Sequence, residues 1–305
     1  MKIAILLATY NGEKYIREQL DSIFAQTYKD WIIYIHDDGS KDKTMDIINE
    51  YVKKYPEQVV IVDGPSTGGA RNNFFYLMSK VDSEYYMCCD QDDVWLPEKI
   101  EKTVEAMEKL EKGKEDKPLL VFTELTVVDG QMNVIAEKMA EYQSLDCKDT
   151  SFSRILMQNT VTGCTMLMNK KLRDEALKYS NINNIIMHDW WIGIIAAFFG
   201  DLYFLDEPTI LYRQHGDNSV GAVDTRTIGY VIKKINQGDK IKKSLYETRK
   251  QAKEFAEVFH LGESSLAYKY SQSDKMNKIA RLAFYKKNNL KKSGLFRKIG
   301  FIVWG

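Results

Sequence analysis

Four times within the first hundred residues a short, β-rich apolar run gives way to a segment with helical spacing. This alternation constrains the fold more than any other feature of the chain. The runs are Ile3–Ala8, Trp31–Ile35, Val59–Val62 and Glu84–Cys89, and the helical segments are Glu13–Ala25, Thr44–Lys54, Asn72–Lys80 and Pro97–Leu110. In the first helical segment Tyr15, Ile16, Leu20, Ile23 and Phe24 share one face, the period of a helix laid on a core. Pro97 suits the first turn of its helix, where a missing N–H costs nothing. Strands alternating with helices of this length predict a doubly wound, mostly parallel α/β sheet. Such sheets bind ligands beyond the carboxyl ends of their strands, so those ends are where chemistry is expected.

Three of the four ends are polar. The first run leads into Thr9-Tyr10-Asn11-Gly12, the second into Asp37-Asp38-Gly39-Ser40, and the fourth into Cys88-Cys89-Asp90-Gln91-Asp92-Asp93-Val94-Trp95. Like charges as close as Asp90, Asp92 and Asp93 raise one another's pKa. In one reading Asp92 or Asp93 caps the helix that follows Pro97. In the other, two acidic strand ends converge on one crevice around a divalent cation; oxygen donors suit Mg²⁺ or Mn²⁺ together with substrate phosphates. No G-x-x-x-x-G-K-[ST] loop and no G-x-G-x-x-G follows the first strand, which disfavours an ordinary P-loop NTPase or dinucleotide enzyme.

From residue 119 to 213 the rhythm loosens into strand-like runs at Leu119–Phe122, Thr126–Asp129, Cys164–Met168, Leu202–Leu205 and Thr209–Tyr212, with a helix over Asp189–Phe199. Beyond about residue 225 the pattern is nearly all helical and rich in lysine. A boundary there divides the chain into a catalytic body, 1–225, and a basic helical extension, 226–305. Net charge is zero overall, yet residues 226–305 carry 19 Lys and Arg against 6 Asp and Glu, while residues 1–225 carry 24 against 37. Such asymmetry signals a tail that meets an anionic surface. In the last stretch Leu295, Phe296, Ile299, Phe301, Ile302 and Trp304 stand among Lys291, Lys292, Arg297 and Lys298. That composition suits an interfacial segment on anionic lipid, or equally a helical cap on the body with solvated lysines. The four cysteines form no C-x-x-C pair and are read as reduced thiols. The N-terminal apolar run is too short for a signal peptide, and no run has transmembrane length. The expected location is the cytoplasm, at most peripheral on the inner face of the membrane. A nucleic-acid partner is not expected.

The stretch ATYNGEKYIREQLDSIFAQTYKDWIIYIHDDGSKDKT resembles the opening of the family 2 inverting glycosyltransferases, which have the GT-A fold. DQDDVWLPEKI is similar to that family's D-x-D motif and the helix start after it. Farther on, GCTMLMNKKL and HDWWIGIIAAFFGDLYFLDEPTILYRQHGDNSVGA resemble its rhamnosyltransferase-like subgroup. The resemblance spans roughly residues 1–222.

What the resemblance implies can be assigned by position. Thr9, Tyr10 and Asn11 would line the nucleotide pocket, and Asp38 would contact the base or ribose. Asp90, the first aspartate of the D-x-D, would sit on the ribose side, and Asp92, the second, would hold Mg²⁺ or Mn²⁺ on the diphosphate. Asp93 fits a hydrogen-bonding or capping role. In GGARNNFF, Arg71, Asn72 or Asn73 would stand near the diphosphate, with Arg71 the residue assigned to donor binding; a glycine-rich turn capped by Asn is the plain alternative. Gly163 would let the backbone approach the donor. Asp189 would be the general base, a carboxylate within reach of the acceptor hydroxyl and away from the metal. Without the resemblance it reads as an N-cap. His188 stands where relatives carry an acid; it is assigned to the donor side, and orienting Asp189 or capping the following helix stay open as alternatives. One of Trp190 and Trp191 could face an acceptor sugar. Arg213 would reach the donor, His215 would complete the metal shell, and Gly216-Asp217-Asn218 would close over the donor.

The function expected is therefore transfer of a sugar, rhamnose from dTDP-rhamnose ahead of a UDP-sugar, to a hydroxyl of a growing cell-surface polysaccharide, with a lipid-linked acceptor as one option. Two alternatives stay open. A nucleotidyltransferase would use the same crevice, although ATYNG lacks a basic phosphate-gripping residue. A non-catalytic glycan- or lipid-binding scaffold predicts damage to the carboxylate set, and Asp38, Asp90, Asp92 and Asp189 are all present.

Overall fold

The computed structural model describes residues 1–216, 221, 224–225 and 238–304. The first four runs form strands β1 (Ile3–Thr9), β2 (Trp31–Asp37), β3 (Val59–Ile61) and β4 (Tyr85–Cys89), with helices α1 (Ile16–Phe24), α2 (Thr44–Lys54) and α3 (Ala70–Lys80) between them. All four strands pair in parallel, and their register sets Thr9 opposite Asp37 and Leu7 opposite Cys89. The three polar strand ends thus open onto one sheet edge. Alternation along β1 does the rest: Ile3, Ile5 and Leu7 enter the core on one face, and Ala4, Leu6 and Ala8 enter the core on the other.

The remaining strands are β5 (Val94–Trp95), β6 (Leu119–Val128), β7 (Val134–Ala136), β8 (Leu167–Asn169) and β9 (Asp201–Arg213). They extend one sheet in the order β3-β2-β1-β4-β8-β6-β9-β5, with β7 on β6. β6 and β9 run with the first four strands, while β5, β7 and β8 run against them. The sheet is mostly parallel, as the alternation requires, with short antiparallel pieces in its second half.

Several expected elements merge or shift. The runs around 119–122 and 126–129 are one strand, and so are those around 202–205 and 209–212. Pro208 does not end the second, because the β6–β9 register slips there, at Glu124 and Pro208, and a proline is tolerated at such an irregularity. Cys164 lies in a 3-10 turn, Gly163–Thr165, rather than in a strand. Helix α4 (Lys99–Glu111) has Glu98 as its N-cap, with no side-chain cap. Pro97 therefore precedes the helix, and neither Asp92 nor Asp93 caps it.

Helices α5 (Met139–Tyr142), α6 (Phe152–Met157) and α7 (Lys170–Ala176) are short, and helix α8 (His188–Phe199) after them buries Trp191, Ile192, Ile194 and Ile195 beneath the sheet. Helices Gly238–Val258, Leu266–Ser271, Lys278–Lys287 and Leu295–Trp304 pack on the same side. Leu245, Ala252, Phe255, Tyr270, Tyr285 and Phe301 share one buried cluster with Trp191 and Ile195. The C-terminal extension is continuous with the core of the body. The expected boundary at 225/226 adjoins residues 226–237, outside the described residues.

Candidate functional site

A cleft of about 690 Å³ lies over the carboxyl ends of β1, β2 and β4 and is closed on its far side by the 159–163 segment and the start of α8. Thr9, Tyr10, Asp38, Asp90, Asp92, Gly163, His188 and Asp189 all line it. Sequence positions as far apart as 9 and 189 are thus brought to one crevice, where a sheet of this topology is expected to bind a ligand.

The floor is built from tight turns. Gln91 Oε1 accepts from the Tyr10 N–H at 2.9 Å, and Gln91 Nε2 donates to the Tyr10 carbonyl at 2.9 Å. Gly12 makes room for this clamp, since a Cβ there would lie 2.3 Å from Gln91 Oε1. Asp37 takes the hydroxyls of Thr9 and Ser40 and the N–H groups of Gly39 and Ser40. Asn11 adopts φ 48° and ties Ser40 and Lys41 instead of lining the cleft; its expected donor contact is corrected to a turn role, which Asn fills better than most residues. Asp38 accepts from the N–H groups of Thr67, Gly68 and Gly69. Although burial opposes it, the donors of Gly69 and Thr67 hold this carboxyl below the ordinary carboxylate range. Asp38 therefore lines the cleft while fixing the 66–69 loop.

The acidic cluster divides by depth. Asp92 faces the cleft with Oδ2 2.8 Å from His215 Nε2. Asp93 is fully buried and accepts the Arg213 N–H at 3.1 Å, and its Oδ2 has no hydrogen-bond partner among the described residues. Burial, then the charges of Asp92 and Asp189, push the Asp90 carboxyl up to about 7. Burial and the charges of Asp92 and Asp90 push Asp93 well above its ordinary range. This mutual repulsion is what a divalent cation relieves. The donor set fits Mg²⁺ or Mn²⁺: carboxylate oxygens of Asp90 and Asp92 at the cleft, with the His215 imidazole beside them. A tighter grouping exists, with ligand atoms of Asp90, Asp93 and Cys164 within 4.8 Å of one another. It suits such a cation less well, because burial raises the Cys164 thiol far above its ordinary pKa and sulfur is a soft donor.

Arg213 was expected on the donor, but the structure spends its guanidinium elsewhere. It is 3% exposed, bonds the Asp92 carbonyl at 2.9 Å, pairs with Glu18, and lies 4.7 Å over the Tyr15 ring. Arg213 thus ties the acidic turn to α1. Arg71 is likewise turned from the cleft, donating to the Ile185 carbonyl at 2.6 Å; Asn73, also in the first turn of α3, lines the cleft instead. Beneath the floor, Lys99 is 1% exposed, sits 4.6 Å over the Trp95 ring, and has no hydrogen-bond partner among the described residues. Burial brings its pKa down to about 8, with Cys164, Cys89 and Asp93 acting the other way. Nothing in the sequence pattern marks this internal cation. Asp217 and Asn218 of the expected closing loop lie outside the described residues.

Asp189 stands across the cleft. Met187 is the N-cap of α8, so Asp189 lies in the first turn and, instead of capping the helix, lines the cleft. Oδ1 accepts from Trp190 N at 2.6 Å and Asn159 Nδ2 at 3.0 Å, and Oδ2 from Gly163 N at 3.2 Å. Burial pushes the carboxyl up to about 7 against the pull of those donors. That value suits a general base working near neutrality. His188 packs 4.2 Å from the Phe74 ring, both ring nitrogens lack partners, and burial lowers its pKa to about 3. A Cβ on Gly163 would lie 2.7 Å from His188 Nε2, so this glycine admits the imidazole. Trp191 is buried in the core, while half-buried Trp190 lines the cleft and donates Nε1 to the Ile155 carbonyl. Asn159 is the functional residue missed by the sequence reading. Only its place four residues before Gly163 in NTVTG marked it.

The model for Glycosyl transferase family 2 matches residues 4–114. The chain is 35% identical over 229 residues to dTDP-rhamnosyl transferase RfbG of Shigella flexneri, covering 71% of this chain and 74% of that protein. It is 30% identical over 220 residues to an uncharacterized glycosyltransferase of Rickettsia typhi, covering 70% of this chain and 64% of that one. Among solved structures, S. aureus TarS residues 1–349 in complex with UDP superposes with a TM-score of 0.55 at 16% identity, over 94% of this chain and 89% of that 1–349 chain. That likeness is one of fold, the GT-A arrangement. Taken together with the strand-end carboxylates, these matches show that the chain belongs to glycosyl transferase family 2.

Proposed function

We propose that this chain is a metal-dependent inverting transferase that moves rhamnose from dTDP-rhamnose to a hydroxyl of a growing, lipid-linked cell-surface glycan. The observation that carries the reaction is the placement of Asp189 and the Asp90–Asp92 pair in one cleft. Asp189 accepts the proton of the acceptor hydroxyl as its oxygen attacks the anomeric carbon. The bond from that carbon to the diphosphate oxygen breaks, and its electron pair leaves with the nucleoside diphosphate. Asn159, Gly163 and Trp190 hold the carboxylate toward the acceptor. Thr9, Tyr10 and Asp38 offer a nucleotide-binding wall. A cation held by Asp92 and His215 would supply charge stabilisation to the leaving group. The choice of rhamnose is supported by the name of the Shigella flexneri relative.

The test is thermal stabilisation by dTDP, UDP, GDP and CDP, each with and without Mn²⁺, since ligands of the folded state raise its apparent stability. A Mn²⁺-dependent rise selective for dTDP supports the reading. Selectivity for UDP moves the donor to a UDP-sugar, and no rise with any nucleotide favours a non-catalytic scaffold.

A further inference from the structure

The helix Leu295–Trp304 is apolar on two sides. Phe301 faces inward, stacked 4.7 Å from the Tyr285 ring, and Gly300 lies against Ile241. On the outer side Leu295, Ile299, Ile302 and Val303 are 66%, 47%, 54% and 46% exposed. At about 100° per residue these four fall within one narrow arc, on the far side of the helix from Phe301. The stripe is widened by a neighbour: Lys278 Nζ bonds the Val303 carbonyl at 3.0 Å, and the next residue, Ile279, is 84% exposed. A helix apolar on both faces is stable in water only when both are covered, and nothing else in the described chain covers the outer one.

Charge identifies what would. Residues 278–304 contain eight Lys and Arg and no Asp or Glu, and Lys298 borders the apolar arc. A second copy of this segment docked here would bring a second set of eight cations close to these, so self-association is opposed. We propose that this face seats the protein on an anionic phospholipid bilayer, the isoleucines and leucine entering the headgroup boundary and the lysines meeting lipid phosphates. Among the described residues no helix is long and apolar enough to cross a membrane, so the contact is one of surface. The inference stands apart from the identity of the donor and of the base.

The experiment is co-sedimentation of the full chain with phosphatidylcholine vesicles, and with vesicles carrying one part phosphatidylglycerol to three of phosphatidylcholine, at low and high salt. The partner variants are Ile299→Asn with Ile302→Asn, and Lys298→Glu. Binding to the anionic vesicles alone, weakened by salt, is expected. The double variant should lose at least about tenfold in affinity, as removal of two anchoring side chains implies, while Lys298→Glu should lose severalfold. Both changes are at exposed positions, so an unchanged melting curve verifies the fold. Equal binding by the double variant, or no binding to anionic vesicles, overturns the proposal. So does a dimer in sedimentation equilibrium that the double variant abolishes, or tighter binding to RNA that it leaves intact.

Discussion

Asn159 Nδ2 donates to Asp189 Oδ1 at 3.0 Å, the one side-chain donor among the hydrogen bonds found on that carboxylate. It both aims the carboxylate and favours its ionised form. Removal of the base itself is the simpler test. Asp189→Asn keeps the shape and loses the proton acceptor, so transfer should fall by about 10²–10⁴-fold while nucleotide affinity stays within twofold. Calorimetric binding beside a turnover assay reads both; a variant that still transfers removes Asp189 from the role.

Changing Asn159 should move a pH profile instead of merely lowering a rate. With Asp189 near 7, kcat/KM rises as pH climbs through about 7, because the deprotonated form is the active one. Asn159→Ala removes a donor that lowers this pKa, so the rising limb shifts to higher pH. Activity lost at pH 7 should be partly recovered at pH 9. A uniform loss at every pH would mean that Asn159 acts only on structure.

The pairing of Asp92 with His215 at 2.8 Å predicts a shared effect. Asp92→Ala should abolish the extra stabilisation that Mn²⁺ gives to bound nucleotide, and His215→Ala should reduce it. A chelator added to the wild type should reproduce the Asp92→Ala behaviour. Unchanged Mn²⁺ dependence in Asp92→Ala would shift attention to the deeper Asp90, Asp93 and Cys164 grouping.

Buried, neutral His188 makes stability depend on acid. Its pKa falls from the ordinary 6.5 to about 3 in the fold, so between these values the unfolded chain binds the extra proton. Its contribution is full above pH 6.5 and is lost as pH falls toward 3, by up to about 1.4 kcal/mol per pH unit. Asp90 and Asp189, raised to about 7, act oppositely: their contribution is present at low pH and lost as pH rises through 7. The slopes separate on comparing wild type with His188→Gln by denaturant melts between pH 4 and pH 7. The variant should lack the acid-side loss; parallel curves would mean that His188 does not titrate in this way.

The fold of the first hundred residues was legible because each strand is too apolar, and each helix too amphipathic, to be anything else. Asp90 and Asp92 were legible because they end such a strand. Arg71 and Arg213 were misplaced for a physical reason: a long guanidinium can reach a ligand or a backbone carbonyl from the same position, and sequence records only the position. Asn159, outside any helix, was hard to find because its partner lies thirty residues on, in the first turn of α8. For the C-terminal extension the sequence left two readings open, an interfacial segment or a cap on the body, because lysines dominate its composition. Leu245, Ala252 and Phe255, spaced between those lysines, are core residues.

That extension reaches the site through Glu254 and Ser293. Glu254 accepts from Ser180 N at 2.5 Å, Asn181 N at 2.8 Å and Asn184 Nδ2 at 2.7 Å, and its neighbour Gln251 accepts from Ile186 N at 2.7 Å. These bonds hold the strand of chain that leads into His188 and Asp189. On the other approach, Arg154 donates to Ser293 Oγ at 2.6 Å and Ser293 N donates to Gln158 Oε1 at 2.6 Å, directly before Asn159. Glu254 is 2% exposed, so Glu254→Ala strands three donors and should cost about 3 kcal/mol. Glu254→Gln keeps an acceptor and should recover part of that loss. Because the loop is held from behind, Glu254→Ala should also lower kcat more than it weakens nucleotide binding, at a temperature well below its melt. Equal kcat in wild type and Glu254→Ala under those conditions would confine the extension to a role in stability alone.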